Sequence, residues 1–231
     1  MHPLDNVIWQ ALTTRQDGLA ESSDLARRFI PEISSLAALR DSSPEGYDAL
    51  AELMDTKATI RLFLDEPYQD RRGWNLVATA PLLQMVWEDG DRTPKAAADS
   101  ELELVELGAV HSSDMLELAE LTKPGPFDKR THELGTYLGI FRDGKLLAMA
   151  GERLKVPGYT EVSAVCTHPE HTGHGYARVL MTELMRRIRG RGETPFLHVR
   201  EKNQRAIELY RRLGFRKRAL FHLAVLRRDA S

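Results

Sequence analysis

Gly173 and Gly175 lie in the run His171-Thr-Gly-His-Gly-Tyr-Ala177, where an apolar, strand-like stretch ends and an amphipathic helical pattern begins. The first amides of a helix have no intrahelical partner, and the helix dipole is positive at that end. Glycines let the backbone curl so that several N–H groups point at one anion with no Cβ in the way. A pyrophosphate suits such a turn; the same residues also suit a tight connection that holds no ligand. Two other phosphate-binding templates do not fit. A P-loop needs a lysine directly after its second glycine, and none follows here; a dinucleotide fingerprint needs a third glycine where this chain has Arg178.

Other reactive side chains crowd the same turn. His168, His171 and His174 recur every third residue. Imidazoles ligate metals, but only Glu170 is at hand to complete a set, so no metal is expected. Cys166, the single cysteine, sits in an apolar strand and reads as a small core residue rather than a nucleophile. One cysteine excludes an internal disulfide framework and fits a reducing compartment.

The elements that must hold this turn follow from pattern. Leu102 to Leu107 is strand-like, and Ser112 or Ser113 can cap a helix carrying Met115, Leu118, Ala119 and Leu121, stopped by Pro124-Gly-Pro126. A second helix is expected beyond the loop Leu121 to Phe127. Tyr137 to Arg142 and Lys145 to Leu154 flank Asp143-Gly144, a hairpin signal. Pro157-Gly158 turns the chain into a strand over Glu161 to Thr167, which leads into the glycine turn. From about Gly175 to Arg189, Ala177, Leu180, Met181, Leu184 and Ile188 form one helical stripe. Phe196 to Val199 is a strand, Asn203 caps a helix ending at Gly214, and Phe221 to Leu226 is a last strand. The first half is less regular: a helix over Asp48 to Met54, a strand over Thr59 to Leu64, and two strands, Trp74 to Ala78 and Gln84 to Trp87, around Pro81. The polar segment Glu88 to Ser100 separates the halves. Two domains are therefore expected, a smaller α/β domain over 1–92 and a second over 100–231.

The run Val165 to Leu180 resembles motif A of the GNAT superfamily of N-acetyltransferases, whose pattern Gln/Arg-x-x-Gly-x-Gly/Ala falls on Thr172, Gly173, His174, Gly175, Tyr176 and Ala177. Asn203-Gln-Arg-Ala-Ile-Glu-Leu-Tyr-Arg-Arg-Leu-Gly-Phe215 resembles the family's second signature. The resemblance spans roughly residues 100 to 228, and the first half could be a degenerate copy of the same fold. It implies an α/β fold, a mixed and mostly antiparallel sheet flanked by helices. It also implies direct transfer of acetyl from acetyl-CoA to a primary amine of a small molecule or peptide. The strand before motif A would splay from its neighbour, with Val165, Cys166 and Thr167 along the pantetheine and the Val165 N–H on the oxyanion. The amides of His174 to Arg178 would hold the pyrophosphate, and Asn203 would touch the pantetheine or phosphate end. Tyr210 would act as general acid. Glu161, four residues before Val165, is the candidate base, with Glu152 as its competitor; Phe127 and Arg153 are candidate acceptor contacts. Thr172 departs from the motif's Gln or Arg, so the anion site should rest on backbone amides.

Composition sets the outer bounds. A net charge of −2 gives no global reason for a nucleic-acid partner. Arginines such as Arg186, Arg187, Arg211 and Arg212 do crowd the last third, as a solvated face or a positive rim for a polyphosphate. No signal peptide is recognisable, and no apolar run approaches the ~20 residues that cross a bilayer. A cytoplasmic monomer or homodimer with no membrane partner is the expectation.

Overall fold

The computed structural model of the chain describes residues 2–55, 58–88 and 103–229. Strands β7 (Tyr137–Arg142) and β8 (Lys145–Val156) form the expected hairpin, with Asp143 and Gly144 both at positive φ, 51° and 74°. Two left-handed residues give a turn whose twist matches that of the strands it joins. A second tight turn at Gly158 leads into β9 (Tyr159–Thr167). Helix α4 (Tyr176–Gly190) buries Tyr176, Val179, Leu180, Met181, Leu184, Met185 and Ile188 along one side. Beyond it come β10 (Thr194–Arg200), α5 (Gln204–Arg212), whose N-cap Asn203 accepts from the Ala206 amide at 3.2 Å, and β11 (Phe215–Arg228).

The first half contributes to the same sheet. Strands β4 (Thr59–Leu64) and β5 (Trp74–Trp87) join β6 (Leu104–Leu107) and the strands above in the order β4-β11-β5-β10-β9-β8-β7-β6. Among the described strands of this sheet, β9 and β10 are the one parallel pair. β5 lies between β10 and β11, pairing Leu83 with Val199 on one side and with Leu220 on the other. The expected domain boundary falls within 89–102, outside the described residues, and the sheet is shared by strands from both sides of it. Where two strands were expected around Pro81, β5 is continuous. The Pro81 carbonyl accepts from the Glu201 amide at 3.1 Å, so its missing N–H faces β10, where the last register pair is Arg200 with Leu82. The ladder to β11 loses nothing.

Smaller elements in the described part of the first half include α1 (Val7–Thr13), a three-stranded sheet of β1 (Ala20–Ser22), β2 (Ala26–Phe29) and β3 (Ala37–Leu39), and α2 (Pro44–Glu52). Helix α2 starts earlier than expected because Ser43 caps it and Pro44 occupies its first turn. On one face of the large sheet, α4 and α5 cover Leu83, Met85, Val162, Leu197 and Val199. On the other, α1 packs over Val86, Leu154 and Phe196, and α3 (Ser112–Thr122) over Tyr137, Met149 and Cys166. The second helix expected after residue 127 is only a short 3-10 turn, Thr131–Leu134. That segment satisfies its polar groups elsewhere: the Arg130 amide donates to Glu32 O at 3.1 Å and the Thr131 hydroxyl to Ile33 O at 2.7 Å. Among the described residues no helix is long and apolar enough to cross a membrane.

Candidate active site

The parallel pair at the centre of the sheet comes apart. β9 and β10 are in register only at Tyr159 with Thr194, Thr160 with Pro195 and Glu161 with Phe196. Beyond that point β9 stays with β8 as far as Thr167, and β10 stays with β5 as far as Arg200. A wedge-shaped gap therefore opens between Val162–Thr167 and Leu197–Arg200. A bulge sharpens it: Cys166 pairs with Met149 and Ser163 with Gly151, so Ala164 and Val165 face the single residue Ala150. Ala164 is left-handed at φ 52°, an uncommon conformation for a residue with a Cβ. A bulge of this kind re-aims the backbone locally, here at Val165.

The glycine turn follows at the mouth of the gap. Gly173 and Gly175 have φ of 89° and 79°, and no atom lies within 4 Å of a Cβ built on either. Conformation, rather than crowding, demands glycine there. The amides of Gly173 to Arg178 donate to no described residue, and Thr172, Gly173, His174, Gly175 and Arg178 are exposed. Six successive donors at the start of a 15-residue helix suit a polyphosphate. The Thr172 hydroxyl is committed to Pro169 O at 3.2 Å. Ala177 is half-buried just inside the helix.

Tyr210, on α5, is buried under the α4 face of the sheet with its ring edge-on to Phe215 at 6.2 Å. Burial pushes its phenol up to about 12, so it is protonated at neutral pH and can serve as a donor. Asn203 spends its side-chain oxygen on the α5 cap. Cys166 is buried among Met115, Leu118 and Met149, and burial pushes its thiol up to about 11, which suits packing better than nucleophilic attack.

The two candidate bases have other commitments. Glu161 is fully buried; Arg153 donates to both of its oxygens at 2.8 and 2.6 Å, and it pairs with His198 Nδ1 at 2.7 Å. Burial alone would raise its pKa, but Arg153 and His198 outweigh that and hold the carboxyl at about 2. Such a carboxylate is a weak proton acceptor, and its surroundings do not support the expectation of a base. Glu152 is also fully buried, paired with Lys155 at 2.9 Å and Arg191 at 2.7 Å. Arg153, expected as an acceptor contact, is taken up by Glu161 and lies against the Phe63 ring. Phe127 does border open space, a groove of about 380 Å³ shared with Ala119, Glu120, Lys123 and Gly125.

Sequence reasoning missed the partners of Glu161. Gln84 Nε2 approaches His198 Nε2 at 3.1 Å and donates to Leu4 O, and Arg218 donates to Gln84 Oε1 at 2.8 Å and pairs with Asp5. A histidine two residues after Phe196 in an apolar strand was the available signal, since period two puts both on one face. The ligating atoms of His168, Glu170 and His171 lie within 4.8 Å of one another, so three of the four residues weighed for a metal converge, and His174 is not among them.

A divergent parallel pair beside a glycine turn with unpartnered amides is the arrangement that the resemblance to the GNAT superfamily implies. The model of the FR47-like protein family matches residues 137–223. N-alpha-acetyltransferase RimI of Mycobacterium tuberculosis is 32% identical over 132 residues, covering 51% of this chain and 82% of that protein. The crystal structure of an acetyltransferase of the GNAT family from Novosphingobium aromaticivorans is 35% identical, with a TM-score of 0.89 over the whole of both chains. A GCN5-related N-acetyltransferase from Kribbella flavida shares the fold at 16% identity, with a TM-score of 0.61 over 96% of each chain. The chain belongs to the GNAT family of acetyltransferases. It is an acetyl-CoA-dependent N-acetyltransferase, with acetyl-CoA as its cosubstrate.

Proposed function

We propose that the gap between β9 and β10 receives the pantetheine arm of acetyl-CoA and that acetyl passes directly to a primary amine of a small molecule or peptide. The observation that carries this is the loss of pairing after Glu161 and Phe196, beside six unpartnered amides at the start of α4. The pyrophosphate lies on the amides of Gly173 to Arg178. The thioester lies along Val165, Cys166 and Thr167, with the bulge turning the Val165 N–H toward the carbonyl oxygen. The amine nitrogen attacks the carbonyl carbon, and the negative charge gathers on that oxygen. When the C–S bond breaks, the CoA thiolate takes a proton from Tyr210, whose burial keeps it protonated. The amine loses its proton to water, a reading supported by the burial and pairing of both Glu161 and Glu152. The acceptor enters from the α3 side, by the groove at Phe127. The name of the mycobacterial relative, an N-alpha-acetyltransferase, favours an α-amine. Both halves work as one unit in this reading, supported by the inclusion of β4 and β5 in the sheet that splits.

Tyr210→Phe tests the acid. Positioned general acids typically contribute ~10²- to 10⁴-fold, so kcat across a panel of amines and peptides should fall at least tenfold with acetyl-CoA affinity unchanged. Full activity in the variant would remove Tyr210 from the reaction.

A further inference from the structure

A second cavity, of about 300 Å³, shares no residue with the gap or the glycine turn. It lies where the β2–β3 connection, the start of β4 and the loop after α3 meet, and its polar lining is Arg28, Ser34, Ser35, Thr59, Arg61 and Asp128. Arg28 is neutralised by Glu21 at 2.6 Å. Arg61 is not neutralised in this way: its guanidinium donates to the Ser35 hydroxyl at 2.5 Å, and no described carboxylate lies within 4.0 Å of it. The Asp128 carboxylate, which lines the same cavity, accepts no hydrogen bond from any described residue; its own amide donates to Thr131. Each of these charges is partly stripped of water, and each feels the other through the cavity: burial draws the Arg61 pKa down while Asp128 raises it, and burial draws the Asp128 pKa up while Arg61 lowers it.

Opposite charges in one half-dry cavity normally close on each other or on hydrogen-bonding partners. These two do not come within 4.0 Å of each other, and the cavity that both line has the volume for a small ligand. A guanidinium fork recognises a carboxylate in two-point fashion, and a carboxylate without donors takes an ammonium. A molecule offering both groups can satisfy both charges at once, with Phe29, Ile60 and Leu36 lining the rest. We propose that this cavity binds the zwitterionic head group of an α-amino acid, its carboxylate on Arg61 and its ammonium toward Asp128.

Calorimetry on the full chain tests the proposal. The probes are the common L-amino acids, each compared with its amide, which lacks the carboxylate. At least one amino acid should bind, and its amide should bind at least tenfold more weakly. Arg61→Met, which keeps the aliphatic stem, should abolish binding, and Asp128→Asn, a change in a loop, should weaken it at least tenfold. Acetyl-CoA titrated into the same proteins reports separately on the transferase reading and on whether each variant is folded. Absence of binding by every amino acid at about 10 mM, a concentration at which a millimolar Kd (about −4 kcal/mol) would be mostly saturated, or an affinity unmoved by the amide and by both substitutions, would overturn the proposal.

Discussion

Replacing Glu161 with glutamine separates a structural carboxylate from a catalytic one. In the folded chain its pKa is held at about 2 against an ordinary 4.5. A depressed carboxyl stabilises the fold above its unfolded pKa and loses that contribution as pH falls through the folded value, here between 4.5 and about 2. Removing one member of a buried pair costs ~3–5 kcal/mol, because the other charge, here Arg153, is left without a counter-ion. A domain is stable by only ~5–15 kcal/mol. With a urea slope of ~1–3 kcal/mol per molar, Glu161→Gln should lower the unfolding midpoint at pH 7 by about 1 M or more. The difference from the unsubstituted chain should shrink as both are brought toward pH 3. Urea titrations followed by tryptophan fluorescence read both quantities. A variant with an unchanged midpoint and unchanged acetyl-CoA affinity, but with turnover lost and its pH profile flattened, would refute the structural role and make Glu161 the base.

The turn gives a paired test: Thr172→Ala should leave acetyl-CoA affinity within about twofold, since its hydroxyl serves only Pro169. Gly175→Val should reduce that affinity at least tenfold, because a branched residue at φ 79° costs at least ~1–2 kcal/mol before it crowds the anion; calorimetry on both variants checks the order, and the reverse order would refute the anion site. Gly151→Ala would put a Cβ 2.2 Å from the Tyr137 ring, so a loss of ~1–3 kcal/mol is expected as a lower Tm. An unchanged Tm there would mean that the α3 face repacks freely.

Much of the second half was legible because its signals are local. Asp143-Gly144, the stripe of α4 and the Asn203 cap each act within a few residues, and each element lies where its pattern predicts. The small first-half elements carried little such signal. β2 reads Ala-Arg-Arg-Phe and β3 Ala-Ala-Leu, too short for an alternation to show, and α1 has no capping side chain. In the candidate site, the turn and Tyr210 were readable as motifs. The commitments of Glu161 and Glu152 were not, since decisive partners come from distant parts of the chain: Arg191, at the end of α4, lies 39 residues from Glu152, and His198, on β10, lies 37 from Glu161. Period-two counting put Glu161 on the face of Val165, but the bulge at Ala164 and Val165 breaks the alternation: Val165 packs with Val162, on the opposite side of the sheet from Glu161.

The place of β5 in the sheet also bears on the order of synthesis. Gln84 is hydrogen-bonded across the strands to His198, 114 residues later, and Trp87 pairs with Phe215. While the chain emerges from the ribosome, β5 and its apolar inner residues have neither flanking strand to pair with until well over a hundred further residues are made. Such distant pairing slows folding and leaves a strand edge open to other nascent chains. Expression yield should therefore depend on chaperone supply during translation more than the stability of the finished fold would suggest.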